Sequence, residues 1–132
     1  MQLLNMIFIV DDDPIHQQIA NIMIRRQGIG ENVKTFSDAQ DTLDYLKLHQ
    51  HEPALLPDLI LLDLNMPVMD GWEFLNDYAG FYEQLAKEIG IFVLTSSIDD
   101  KDRKKVDNFS FVKGYLTKPL SSEIIMKLQQ YS

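Results

Sequence analysis

The sequence predicts an α/β fold, a doubly wound five-stranded parallel sheet with five helices and the flavodoxin-like strand order 2-1-3-4-5. Short, continuously apolar runs alternate with longer segments of helical period, as in a βαβ series. No internal repeat or low-complexity stretch interrupts this alternation. The 132 residues suffice for one domain of ordinary size, so we expect a single domain over residues 1–132 with no second domain appended.

The first strand and helix cover the N-terminal part of the chain. Residues 6–10 are apolar throughout, which is typical of a strand covered on both faces. Asp13 followed by Pro14 indicates a helix N-terminus, and Gly28 indicates its end. Within this segment, apolar residues recur at helical spacing: Ile15, Ile19, Ile22 and Met23.

The second unit is a strand over residues 33–36 and a helix that continues to Lys47. Ser37, three residues before Gln40, resembles a capping box at the start of this helix. Residues 49–57 contain two prolines and predict a loop that is longer than most.

The remaining elements follow the same alternation. Residues 59–62 predict the third strand, and Asp70 with Glu73 predicts a capping box that opens the next helix. The last four elements are a strand over 91–94, a short solvated helix over 99–107, a strand at 115–116 and a helix over 121–131.

Composition excludes several functions. A formal net charge of −8 and a pI near 4.7 work against direct binding of nucleic acid or anionic lipid. With no cysteine, the chain forms no disulfide, zinc-thiolate site or thiol nucleophile. The first apolar run is only five residues long, too short for a signal peptide or a membrane span, so we expect a cytoplasmic protein.

Polar residues follow four of the predicted strands: Asp11 and Asp12, Asp63, Thr95 and Lys118. Because parallel strands end at one edge of the sheet, these groups should share a small site. Three carboxylates close together repel one another, which should raise their proton affinities or demand a cation, and hard oxygen ligands favour Mg²⁺. Lys118 and Thr95 then suit the oxygens of a phosphoryl group.

The chain has no glycine-rich phosphate loop, so a nucleotide is not the expected ligand. No histidine directly follows a predicted strand, which makes a carboxylate the best available nucleophile. Asp63 is the strongest candidate because it stands alone after the central strand, facing the pair that would hold the metal. An aspartyl phosphate follows from this arrangement.

Four segments, in this order and spacing, resemble the receiver domains of two-component response regulators: residues 9–14 (IVDDDP), 61–71 (LLDLNMPVMDG), 93–96 (VLTS) and 114–119 (GYLTKP). The resemblance covers the whole chain. It implies that Asp63 is the phosphoacceptor and that Mg²⁺ is held by Asp11, Asp12, Asp63 and the main-chain carbonyl of Asn65.

The resemblance also implies roles for residues near the last two strands. Thr95 would be the switch hydroxyl, Lys118 the phosphate-pairing lysine before a cis peptide to Pro119, and Tyr115 an aromatic switch. A core position for Tyr115 is equally open. The chain departs from the family pattern at residues 107–113, where the usual alanine- and glycine-rich segment is replaced, and in the long loop before the third strand.

The implied function is that of a stand-alone receiver without an output domain. A sensor histidine kinase or phosphotransfer protein would donate the phosphoryl group, and the modified form would signal to another, unidentified protein. The chain would catalyse only its own modification, with no nucleic acid or membrane partner. The rivals are a magnesium phosphohydrolase, which should carry a second Asp where Asn65 stands, and a pseudo-receiver that is never phosphorylated.

Several residues carry no assigned role. His49 and His51 fall in a polar loop and are expected to be solvated, and His16 follows the acid pair in the first turn of a helix. Phe109 and Phe111 are expected in the core, with an exposed apolar strip as the alternative.

Overall fold

The computed structural model describes residues 4–64, 70–95, 100–118 and 120–129. Five parallel strands form one sheet in the order β2-β1-β3-β4-β5, which confirms the predicted fold class. The strands are β1 (Leu4–Val10), β2 (Gly30–Phe36), β3 (Leu59–Asp63), β4 (Gly90–Thr95) and β5 (Val112–Thr117). The α-helices of the described ranges are α1 (Pro14–Gln27), α2 (Ala39–Leu48), α3 (Gly71–Ala79), α4 (Asp100–Val106) and α5 (Ser122–Gln129).

Helices cover both faces of the sheet, because alternate side chains of each buried strand point to opposite sides. Phe8 and Ile60 belong to the core layer that contains the buried residues of α2, α3 and α4. Ile7 and Leu61 belong to the other layer, with the buried residues of α1 and α5. The continuous apolar runs of the sequence are therefore explained by burial on two faces.

The strand register aligns the carboxyl ends of the central strands. Val10 of β1 pairs with Leu62 of β3, and Asp63 pairs with Leu94 of β4. The residues that follow these positions consequently emerge side by side at one edge of the sheet.

Most of the apolar stripe of α1 faces solvent, although Met23 packs partly buried against the core. Ile15, Ile19 and Ile22 are 65%, 41% and 53% exposed, whereas Ala20 and Ile24 are almost fully buried. The small Ala20 side chain lets the helix lie close to the sheet, and Ile24 fills the space beside it. The isoleucine stripe is left facing solvent.

The predicted cap of α2 is wrong. Asp38, not Ser37, is the N-cap residue, and its carboxylate accepts hydrogen bonds from the main-chain N–H groups of Gln40 and Asp41 at 2.6 and 3.1 Å. A carboxylate is a stronger acceptor than a hydroxyl at a helix N-terminus. The Ser37 hydroxyl instead accepts from Gln17 Nε2 at 3.1 Å.

The other helix starts follow the sequence. Asp13 caps α1 by accepting from the Ile15 N–H, and Asp70 with Glu73 forms the reciprocal capping box of α3. Within the long loop before β3, Pro53–Leu55 forms a short 3₁₀ turn. A second 3₁₀ turn, Tyr82–Gln84, was not expected.

The last strand of the sheet is longer than the sequence indicates. β5 starts at Val112, three residues earlier than predicted, and pairs along β4 as far as Thr117. Phe111 is buried in the core, as expected, and Phe109 packs partly buried against the same layer. In the described part of the chain, no helix has the length and apolar character needed to cross a membrane.

Gly71, the first residue of α3, packs closely against the end of β3. A Cβ at this position would lie 2.7 Å from Leu64 Cα and 2.8 Å from the main-chain oxygen of Asp63. We expect Gly71→Ala to lower the free energy of unfolding by about 1–3 kcal/mol through overpacking, measured by urea denaturation. Gly80→Ala is the control, because its added Cβ meets only Asp77 O, at 3.3 Å. Equal effects of the two substitutions would contradict the prediction.

Candidate functional site

Three carboxylates meet at the carboxyl edge of the sheet. Asp11, Asp12 and Asp63 each offer an oxygen, and these oxygens all lie within 4.8 Å of one another. Asp11 and Asp63 are only 1% and 3% exposed, whereas Asp12 is exposed. The pairing of β1 with β3 produces this cluster, because the two strands end next to each other. The site is therefore strongly acidic inside and open to solvent on the Asp12 side.

Lys118 supplies a positive charge to this cluster. Its Nζ lies 3.2 Å from Asp11 Oδ2 and 3.1 Å from Asp63 Oδ2, and its side chain is 14% exposed. The Lys118 main-chain N–H donates to the Thr95 carbonyl at 2.8 Å, which fastens the end of β5 to the end of β4. The ammonium thus joins two buried acids from different strands.

The environment of Lys118 changes its proton affinity. Burial by itself lowers the pKa of the amine, but the negative charge of Asp11 and the hydrogen bond and charge of Asp63 outweigh this and raise the pKa above its ordinary value. Lys118 is therefore a cation at neutral pH.

Local contacts orient Asp11. Its Oδ1 accepts from the Asp13 N–H at 2.9 Å, which leaves Oδ2 to face Lys118. Gln17 Nε2 donates to the main-chain oxygen of Asp11 and so ties the strand end to α1. The turn between β1 and α1 holds the carboxylate in one orientation.

Thr95 and Tyr115 lie on the two strands beside the acidic cluster. Thr95 is buried at the end of β4. Tyr115 is half-buried on β5, packs against the core and has the Arg103 guanidinium 5.1 Å from its ring centre. The Arg103 contact links the ring to α4 and could not be seen in the sequence. Asn65 and Pro119 fall outside the described residues.

Two residues to which the sequence assigns no role lie beside the site. His16 Nδ1 lies 3.1 Å from Lys118 Nζ, and Gln17 binds the backbone at the end of β1. The only signal in the sequence is their place in the first turn of the helix that follows the acid pair. That place alone does not tell which side chains turn toward the site.

The donor set fits a hard divalent cation. Carboxylate oxygens are the ligands that Mg²⁺ prefers, and the exposed side of Asp12 leaves room for the waters that this ion retains. Three carboxylates against one ammonium leave an excess of negative charge in a small volume, which a dication would neutralise.

Fold and pocket together define the class of this protein as a CheY-like receiver, in which an open α/β sheet carries an acidic pocket and a lysine at its carboxyl edge. The family model described as "Response regulator receiver domain" matches residues 7–130. The chain belongs to the response regulator receiver family. Members of this family are signalling proteins rather than classical enzymes, and they bind Mg²⁺ in the acidic pocket.

Individual relatives agree with the family assignment. The chain is 33% identical over 117 residues to the probable methanogenesis regulatory protein FilR2 of Methanothrix harundinacea, covering 89% of this chain and 74% of that protein. The chemotaxis protein CheY4 of Vibrio cholerae is 25% identical with a TM-score of 0.77, over 97% of this chain and 98% of that one.

A two-component response regulator from Cytophaga hutchinsonii has a TM-score of 0.87 at 21% identity, covering 99% of this chain and all of that one, and it supports the fold alone.

We expect Lys118→Met to lower the free energy of unfolding by about 2 kcal/mol in chelator near neutral pH, because two buried carboxylates lose their cation. A raised folded-state pKa gives stability that is complete below the unfolded pKa and is lost as pH rises through the folded value. The difference between parent and variant should therefore shrink as the pH rises beyond 10.5, the ordinary pKa of the amine. Urea denaturation at both pH values measures it.

Lys101→Met, on the exposed surface of α4, is the matched control and should show little effect at either pH. If the Lys118 variant loses no more stability than this control, the ammonium does not stabilise the acids.

Proposed function

We propose that this chain accepts a phosphoryl group on Asp63 from a phosphohistidine of a sensor histidine kinase or phosphotransfer protein, with Mg²⁺, and signals by phosphorylation-dependent protein–protein interaction. The observation that carries the proposal is a buried carboxylate placed between a carboxylate pair and an ammonium 3.1 Å away. Membership in the receiver family supports the same chemistry.

In the proposed reaction, an Asp63 carboxylate oxygen attacks phosphorus and forms a P–O bond. The P–N bond of the phosphoimidazole breaks, and its electron pair returns to the imidazole nitrogen. Asp11, Asp12 and Asp63, with the main-chain carbonyl of Asn65 implied by the family resemblance, would hold Mg²⁺. When bound, the ion supplies charge neutralisation to the phosphoryl oxygens.

Lys118 contributes through a hydrogen bond that changes partner. Its ammonium faces Asp63 Oδ2 in the unmodified protein, and it turns to a phosphoryl oxygen once that carboxylate becomes an acyl phosphate, a mixed anhydride. The Thr95 hydroxyl, on the neighbouring strand, donates to another of these oxygens. Only the chain itself is modified, and water later removes the phosphoryl group.

The readout is a two-state change at β4 and β5. Movement of Thr95 toward the phosphoryl group alters the end of β4, which pairs with β5, and Tyr115 repacks beneath Arg103 of α4. The altered surface binds a downstream protein. We place this exchange in the cytoplasm, with residues 1–132 acting as one domain.

The donor protein has an apolar surface to contact beside the pocket. Ile19 lines a cleft of about 70 Å³ together with His16 and Lys118, and the exposed stripe of α1 continues from it. Because Asp63 is buried, a donor histidine reaches it only when the donor covers this edge of the sheet. The exposed isoleucine stripe of α1 would then be buried by the donor protein.

We expect the parent to gain about 80 Da once when given Mg²⁺ and acetyl phosphate, and Asp63→Asn to gain nothing while remaining folded. Intact mass spectrometry and circular dichroism measure the two properties. Asp77→Asn, an exposed acid on α3, is the control and should be modified like the parent. A hydrolase would instead release phosphate from many esters, and a pseudo-receiver would show no mass gain.

We expect Ile22→Gln to slow phosphoryl transfer from a phosphorylated histidine phosphotransfer protein about tenfold, through loss of apolar contact, and to leave the reaction with acetyl phosphate unchanged. Leu48→Gln, 75% exposed on α2, is the control on the opposite face. Equal rates for parent and Ile22→Gln with the protein donor would contradict docking on α1.

A further inference from the structure

His16 contacts the ammonium of the acidic pocket. Its Nδ1 lies 3.1 Å from Lys118 Nζ, a hydrogen-bond distance, and 3.6 and 3.7 Å from carboxylate oxygens of Asp11 and Asp13, which are longer than hydrogen bonds. Asp13 already uses its Oδ1 to cap α1 through the Ile15 N–H at 2.9 Å. The geometry therefore favours the contact between the imidazole and the lysine.

The chemistry of the two groups assigns the direction of this bond. An ammonium has three N–H donors and no acceptor, so Nδ1 must accept and the ring proton must lie on Nε2. Lys118 then has one acceptor for each N–H: Asp11 Oδ2, Asp63 Oδ2 and His16 Nδ1. All three directions of the ammonium are fixed by the protein.

We propose that His16 is a positioning residue for phosphoryl transfer to Asp63, holding the third N–H of Lys118 so that the ammonium stays aimed at the pocket. The inference rests on the proposed function. Lysine carries a flexible four-carbon stem, and ordering it during the reaction costs conformational entropy. With Asp11 and His16 as anchors, only the bond to Asp63 has to pass to a phosphoryl oxygen.

The place of the imidazole suits this role. Its side chain is 42% exposed and sits at the mouth of the pocket, where it lines the cleft with Ile19 and Leu120. The ring therefore contacts one side of Lys118 while staying partly open to solvent. His49, by contrast, pairs with Glu52 and lies against the Tyr45 ring at a tilt of 55°, away from the acidic pocket.

Two substitutions separate acceptor chemistry from packing. His16→Asn keeps an oxygen acceptor close to the position of Nδ1, and His16→Leu keeps bulk without an acceptor. With saturating Mg²⁺ and acetyl phosphate, we expect Leu to lower the maximal phosphorylation rate about fivefold to tenfold and Asn to stay within about twofold of the parent. Mg²⁺ affinity, measured by calorimetry, should change less than twofold in both, since His16 is not proposed as a ligand.

His51→Ala, on an exposed loop histidine, is the control and should match the parent. A parent-like rate for His16→Leu, or an equal loss for Leu and Asn, would overturn the positioning role. A clear loss of Mg²⁺ affinity in His16→Leu would also overturn it, because His16 would then act on the metal site and not on Lys118.

A second measurement does not depend on phosphorylation. Long-range ¹H–¹⁵N spectra of the metal-free, unmodified protein at about pH 8 should show His16 with its proton on Nε2, and Lys118→Met should shift the Nδ1 resonance, because that nitrogen loses its hydrogen-bond donor. A parent ring protonated on Nδ1 would overturn the inference even if Asp63 is phosphorylated normally. A parent that is never phosphorylated, with the expected tautomer, would instead overturn the proposed function and the catalytic part of the inference with it.

Discussion

Two buried carboxylates share one ammonium, and the rest of the site depends on that charge arrangement. Asp11 and Asp63 leave the sheet on adjacent strands with almost no exposure. Burying two like charges is costly unless an opposite charge and hydrogen bonds compensate. Lys118 provides both, and its main-chain bond to Thr95 holds it at the required edge. The end of β5 is therefore as important to the site as the strands that carry the acids.

The same arrangement would let the pocket respond to the proposed phosphorylation. Lys118 is 107 residues from Asp11 along the chain, so the contact exists only in the folded protein. An ammonium that donates hydrogen bonds to several acceptors can exchange one acceptor for a new anion without leaving the site. Thr95 ends β4, which pairs with β5, and Tyr115 of β5 contacts Arg103 of α4, so the proposed phosphorylation of Asp63 would act on α4 through these contacts.

Different sides of helix α1 face the sheet, the acidic pocket and solvent. Ala20 and Ile24 bury one side against the sheet, His16 reaches the lysine, and the isoleucine stripe faces solvent. An isoleucine-rich stripe that is not needed for the core is unusual for a surface helix and is consistent with a surface that another protein covers. The helix thus connects core packing, pocket geometry and the proposed donor contact.

The sequence by itself determined the strands, most helix starts and the acids of the site. Continuous apolar runs identify strands buried on two faces, and Asp11, Asp12 and Asp63 stand directly after such runs. These are local signals, readable from a few neighbouring residues. The capping box of Asp70 and Glu73 is another local signal of this type.

Only the tertiary structure decided which side of α1 is buried and which side chain meets Lys118. Helical spacing finds an apolar stripe, but the fit of Ala20 against the sheet selects the buried side. The contact between His16 and Lys118 joins residues 102 positions apart, and no local pattern encodes it. Such features depend on distances between elements, which are set by packing and not by the order of residues along the chain.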